Sequence, residues 1–325
     1  MIPAPSTDRP GITLVIAAAT LWATVGVSTK LVPGAQSLSP ELLGFARMAI
    51  AGPVLLCAAW ILKFGQGLRL PRFHPASLLI FSMSCIVFQL ALFRSFAEVG
   101  VTITVFLTVC LPPVIAFVWT LLFRRAPVTP AAMSALALAL AGLGLFSLGD
   151  GAGESMLRSD AWSLVFPVCA SVAFVTMSYT ARSLAQSATP LEVAGVGLML
   201  SAMLLLPALP WLLPLTGGGL SATGLSAGLV ADSDLMLLLL YLGLGPTALA
   251  YVCYCSGMAR CRSAISGFIA TMIEPLVAAL LALSLLGESL AASEMVACGL
   301  LMMSMGVLWQ MERGPVRAAR PCPAE

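Results

Sequence analysis

Two ionisable residues, Arg47 and Glu274, stand inside hydrophobic runs of this chain. A charge at the centre of a bilayer costs about 2.5–3.5 kcal/mol on insertion scales, so each is a functional candidate by default. An inward-facing guanidinium can hold a carboxylate through two parallel hydrogen bonds. A buried carboxyl can hold an amine or carry a proton. The same two groups could instead pair with each other or with polar helix neighbours, purely to fix packing. Trp22, Thr24, Ser28, Gln89, Tyr251 and Tyr254 could add an aromatic wall and hydrogen bonds. Polar tips inside helical bundles also serve as interhelical glue. Pro112, Pro113 and Pro275 each free the carbonyl four residues earlier, on Thr108, Val109 and Thr271. Freed carbonyls persist only where they find a partner or line a wet cavity. The expectation is that Thr108, Thr271 and the kinks line a polar path, the alternative being bends satisfied by the threonine hydroxyls. Arg94 and Glu98, spaced i, i+4, read as an interfacial ion pair, and Glu288 as solvated or capping.

These residues are carried by a chain of 325 residues that is 60% hydrophobic and 9% charged, with a mean hydropathy of +1.02. Soluble domains carry about 25% charged residues, so this chain cannot clothe a water-facing surface of its size. A net charge of +2 gives no concentrated basic face for nucleic acid. The two lysines, Lys30 and Lys63, precede Leu31 and Phe64, so there is no phosphate-cradling GxxxxGK[ST] loop. His74 is the single histidine, which excludes HExxH and multi-histidine metal sites. The nine cysteines, Cys253 and Cys255 among them, read as helix packing. No metal and no cofactor is implied. Gly224-Leu-Ser226-Ala-Gly228 spells GxSxG, but its loop and His74 fall on opposite sides of the membrane, so the string forms no hydrolase elbow. A polytopic membrane enzyme acting on a lipid substrate is the alternative class. It would show acids or histidines clustered at one face, and the sequence has none.

Ten runs are long enough to cross a bilayer as helices. They are Gly11–Val32, Leu42–Leu62, Ala76–Phe96, Val101–Phe123, Ala131–Leu148, Ala161–Arg182, Glu192–Leu213, Leu235–Cys255, Ala264–Leu286 and Ala291–Met311. With the N-terminus inside, twelve of the sixteen cations fall in inside segments: Arg9, Lys63, Arg69, Arg72, Arg124, Arg125, Arg182, Arg260, Arg262, Arg313, Arg317 and Arg320. Lys30, Arg94 and Arg158 fall outside, which fixes the orientation with both termini cytoplasmic.

The acidic stretch Gly149–Asp160 divides the spans into five and five, giving units 1–152 and 153–325, the second with a short basic tail. Shifting residues 97–129 by 162 superposes Ile103 on Ile265, Phe106 on Phe268, Pro113 on Pro275 and Leu121 on Leu283. An odd number of spans per unit makes the second copy enter from the opposite side, an inverted repeat with its site near the midplane. The expected fold is all-α, a polytopic membrane protein of ten transmembrane helices in two five-helix units.

Leu21-Trp22-Ala-Thr24-Val-Gly26…Lys30, Pro40-Glu41-Leu-Leu-Gly-Phe-Ala-Arg47, Thr108…Pro112-Pro113 and Ile273-Glu274-Pro275…Gly287-Glu288 lie in spans 1, 2, 4 and 9. Together they resemble the EamA family of the drug/metabolite transporter superfamily, over nearly the whole chain. The resemblance implies a ten-helix carrier that moves small polar metabolites such as amino acids, often outward, in a bacterial inner membrane. The expected partners are a small-molecule substrate and the lipid bilayer, with protons as a candidate coupling ion and a homodimer as a candidate assembly. Arg125-Ala126 stands where Gly287-Glu288 stands in the second half, so the two halves are not equivalent there.

Overall fold

A computed structural model describes residues 11–32, 38–63, 73–99, 101–120, 122, 130–149, 162–210, 233–261, 263–286 and 292–313. Arg125, Glu288 and the Gly224–Gly228 string lie outside the described residues. The helices are α1 (Gly11–Leu31), α2 (Pro40–Leu62), α3 (Pro75–Glu98), α4 (Val101–Trp119), α5 (Pro130–Gly149), α6 (Val165–Leu184) and α7 (Pro190–Leu205). Then follow α8 (Ser233–Gly243), α9 (Ala250–Arg260), α10 (Ala264–Thr271), α11 (Glu274–Leu281) and α12 (Ala292–Arg313). A π-helical segment, Leu244–Leu249, joins α8 to α9. Seven helical columns are long and apolar enough to span a bilayer, and three shorter apolar helices, Leu107–Trp119, Pro130–Leu145 and Met295–Val307, fall at the other expected spans. The chain is a multi-pass all-α membrane protein.

Local sequence sets several helix starts. Ser39 caps α2 by accepting the Leu42 N–H at 3.3 Å, with Pro40 in the first turn. Thr189 and Glu192 close a reciprocal capping box at the start of α7, again with a proline behind the cap. Proline is tolerated there because its missing N–H has no partner to lose. The seventh span therefore opens at Pro190, ahead of the expected Glu192, and its α-helix ends at Leu205, before the expected Leu213.

Lipid offers no hydrophobic drive between helices, so close approach and buried hydrogen bonds hold them together. At Gly52 of α2 an added methyl group would stand 2.7 Å from the Met199 backbone of α7. Buried serines reach across the seams: Ser82 donates to the Gly197 carbonyl at 3.1 Å, Ser201 to the Ser82 carbonyl at 3.1 Å, and Ser304 of α12 to the Ala135 carbonyl of α5 at 2.7 Å. Large apolar side chains such as Ile61, Leu62, Leu237 and Met302 remain exposed, as a lipid-facing belt requires.

Span nine departs from the expected single kinked helix. Its hydrogen-bond ladder breaks after Thr271, and Pro275 stands as the second residue of a new helix that begins at Glu274. Pro112 and Pro113, by contrast, sit inside a continuous α4. The matched prolines thus sit within one continuous helix and interrupt the other span.

Several helix ends meet at one face of the bundle. Gly11 opens α1 directly against the end of α9, where an added methyl group would lie 2.8 Å from the Cys261 nitrogen. A methyl group at Gly257 would lie 2.7 Å from the Gly11 carbonyl oxygen. Lys63, capping α2, forms an ion pair with Glu192 at the start of α7. The Arg182 guanidinium, in the last turn of α6, donates from Nη2 to the Cys261 carbonyl at 3.2 Å.

Candidate functional site

From that face, at 1.5 Å per residue, Trp22 of α1 and Glu274 at the head of α11 both lie roughly 15 Å deep. Arg47 of α2 and Gly26 of α1 lie roughly 22 Å deep on the same measure. The two charges therefore occupy neighbouring levels on helices from different halves of the chain.

Arg47 is buried, and its Nε donates to the Thr247 hydroxyl oxygen at 2.9 Å. Thr247 in turn donates to the Leu242 carbonyl at 2.7 Å. Leu242 is the residue four before Pro246, so its carbonyl is the one that proline frees. The π-helical segment at Leu244–Leu249 thus builds the seat on which Arg47 is aimed. Proline in span eight was the sequence signal for this residue, and the sequence reading, drawn to Pro112, Pro113 and Pro275, missed it.

Glu274 is half-buried and makes no hydrogen bond or ion pair to another described residue. Its carboxylate keeps some accessible surface at the head of α11. Among the described residues, the ion pairs within 4.0 Å are Lys63–Glu192 and Arg94–Glu98, so no direct bridge joins Arg47 to Glu274. Each charge is left available to a third group.

Trp22 is half-buried over a packed aromatic cluster, its ring centroid 5.2 Å from Tyr254, 5.9 Å from Phe174 and 6.1 Å from Tyr251. Phe174 also meets Phe88 at 5.4 Å and Phe268 at 5.9 Å. Such tilted and edge-on contacts are favoured by the ring quadrupoles. The Tyr254 hydroxyl shares a 2.6 Å hydrogen bond with Ser178. Tyr251 and Tyr254 are fully enclosed, whereas Trp22 and Phe88 are half-buried. Phe88, Phe174 and Phe268 have no polar signature and are invisible as site residues in the sequence.

Gln89 is buried beside α2, where the methyl position of Gly44 lies 3.4 Å from its Cβ, and its Oε1 has no partner. Glu41 of α2 likewise keeps Oε2 buried without a partner. Thr108 donates to the Thr104 carbonyl at 2.7 Å, and buried Thr271 to the Phe268 carbonyl at 2.7 Å, so neither hydroxyl satisfies a proline-freed carbonyl. Thr24 and Ser28 are not brought to Trp22. At about 100° per residue they fall on the stripe of Thr13, Ala17, Thr20 and Leu31, the outward face of α1, opposite Trp22. Thr24 there accepts from the exposed Tyr241 hydroxyl at 2.6 Å. Arg94 and Glu98 do pair, at 2.8 Å, and Arg94 sits 6.0 Å over the Phe166 ring.

The EamA-like transporter family profile matches residues 9–148 and again 160–310. A curated relative, the uncharacterized transporter YwfM of Bacillus subtilis (strain 168), is 26% identical over 301 residues, covering 90% of this chain and 92% of its own. A solved crystal structure at 19% identity superposes with a TM-score of 0.71, covering 95% of this chain and all of the other, which shows a shared fold. Transport, and not catalysis, is the business of that family, so the lipid-enzyme alternative falls away. With the twofold profile match extending over most of its length, the chain belongs to the EamA-like transporter family.

Proposed function

We propose that this protein is a secondary transporter of the bacterial inner membrane that exports small polar metabolites, amino acids or related compounds, by alternating access. The observation that carries the reading is the pair of unbridged charges, Arg47 and Glu274, at neighbouring depths in different halves of the chain. In this reading one zwitterion binds across both charges, its carboxylate toward the guanidinium and its amine toward Glu274. Trp22 provides an aromatic floor for the rest of the molecule. Glu274 is also the group placed to exchange a proton with the substrate path.

Two five-helix units in inverted orientation supply the moving parts. The family profile matching twice supports this arrangement. So do the matching Ser39-Pro40 and Thr189-Pro190 helix starts. The start of α1 shares its face with Lys63, Arg182 and Arg260, and charge bias assigns that face to the cytoplasm. Both termini then lie inside, and reporter fusions after Arg125 and Asp232 should read inside and outside.

Counterflow in proteoliposomes tests the function directly. Vesicles preloaded with a mixed amino-acid pool should accumulate one or more radiolabelled members of that pool. Vesicles carrying the Arg47→Met, Glu274→Gln double variant should not. Counterflow that is equal in both would remove these charges from the path.

A further inference from the structure

The inner face of α1 changes character along its length. Val15, Ala18 and Ala19 on that face are fully buried, Trp22 is half-buried, and Gly26 and Lys30 are exposed. The outward face is the separate stripe through Thr13, Ala17, Thr20 and Leu31. Gly26 lies roughly 140° away from that stripe at 100° per residue, on the face that carries Val15, Ala19 and Trp22. An added methyl group at Gly26 would meet no atom of the described residues within 4 Å. Gly26 stands one turn above Trp22, at the level of Arg47, and one turn below Lys30.

We infer that Gly26 is the wall of a water-filled vestibule that leads from the Lys30 end to Trp22, Arg47 and Glu274, and that its missing side chain sets the largest molecule able to reach them. The inference deepens the transport reading and rests on it for its purpose. A glycine in the middle of a spanning helix weakens that helix, and among the described residues no close approach requires one at this position. The space it leaves is therefore available to cargo. The vestibule takes hydrated molecules that carry both charges and a side chain no wider than the gap beside Gly26. Filling that gap would exclude cargo by bulk alone and leave the charged site below untouched.

Accessibility of engineered cysteines tests this without transport, so its failure and that of the transport reading are distinguishable. In a background lacking the nine native cysteines, Gly26→Cys should react with a charged, membrane-impermeant methanethiosulfonate of ethylammonium size. A second reporter, Glu274→Cys, lies deeper. With Gly26 intact it should react with that small reagent and with a bulky impermeant maleimide. Adding Gly26→Phe should leave the small reagent's rate within a factor of about two and lower the maleimide's rate by about tenfold or more, the scale of steric discrimination in a fitted pocket. Inertness of Gly26→Cys would place that face against lipid or protein and overturn the inference. So would an inert Glu274→Cys, or a maleimide rate unaffected by Gly26→Phe in a variant that elutes and melts like its parent.

Discussion

Gly257 and Gly26 are both helical glycines of spanning segments, and the structure uses them in opposite ways. At Gly257 there is no room for a side chain: a methyl group would stand 2.7 Å from the Gly11 carbonyl oxygen and 2.9 Å from the Val15 nitrogen. Those neighbours are backbone and cannot swing aside. At Gly26 there is room and no described neighbour. The first glycine belongs to an end of the bundle shut by close packing, by the Lys63–Glu192 ion pair and by the Arg182–Cys261 hydrogen bond. The second stands toward the other end of α1, on the wall of the inferred vestibule. In the proposed transport reading, packing at Gly257 closes one face and the inferred vestibule at Gly26 opens the other, as one state of an alternating-access carrier requires.

The largest effect should come from forcing the closed end apart. Gly257→Ala overpacks backbone against backbone and is expected to cost about 1–3 kcal/mol. Gly26→Ala should not destabilise, and by removing the glycine's helix penalty is expected to gain about 0.5–1 kcal/mol. Thermal melting in detergent compares the two, and equal losses would erase the distinction between the ends. Thr247→Val comes next. It leaves the Arg47 Nε without its acceptor and the Leu242 carbonyl without its donor, at about 1–3 kcal/mol for a buried orphan. Counterflow should fall with it, whereas Thr247→Ser should restore both stability and transport. Glu274→Gln should fold normally, because the carboxylate has no protein partner to lose among the described residues, and should flatten the pH dependence of transport. An unaltered pH profile would take the proton away from this residue. The smallest effect is expected from Thr24→Ala and Ser28→Ala, which alter the outward face of α1 and should leave counterflow close to the parent's.

The sequence makes the spans legible because lipid demands long apolar helices, and it makes Arg47 and Glu274 legible because a charge in such a helix is costly. The Arg94–Glu98 pair follows from i, i+4 spacing and is found as expected. What lay hidden depends on distant contacts. Lys63 and Glu192 are 129 positions apart and announce nothing of each other. Phe88, Phe174 and Phe268 look like any other apolar residue until the helices converge. Thr24 and Ser28 show another limit of the sequence: their hydroxyls attract attention, while the helical period sets them on a different face of α1 from Trp22. Pro275 shows the limit of reading a proline alone, since the same residue type sits inside a continuous α4 and in the first turn of α11.

Reciprocity between the two ends tests the central claim most directly. Native Cys261 is buried at the closed end and serves as one reporter, and Gly26→Cys is the other, each as the sole cysteine of its protein. The latch is opened by the double change Lys63→Met with Glu192→Gln, and both reporters are titrated with the same small impermeant thiol reagent in unsealed membranes. Alternating access predicts that Cys261 becomes reactive while the cysteine at position 26 becomes protected, because opening one face closes the other. Cys261 becoming reactive with position 26 unchanged would mean local fraying of helix ends, and would contradict the account.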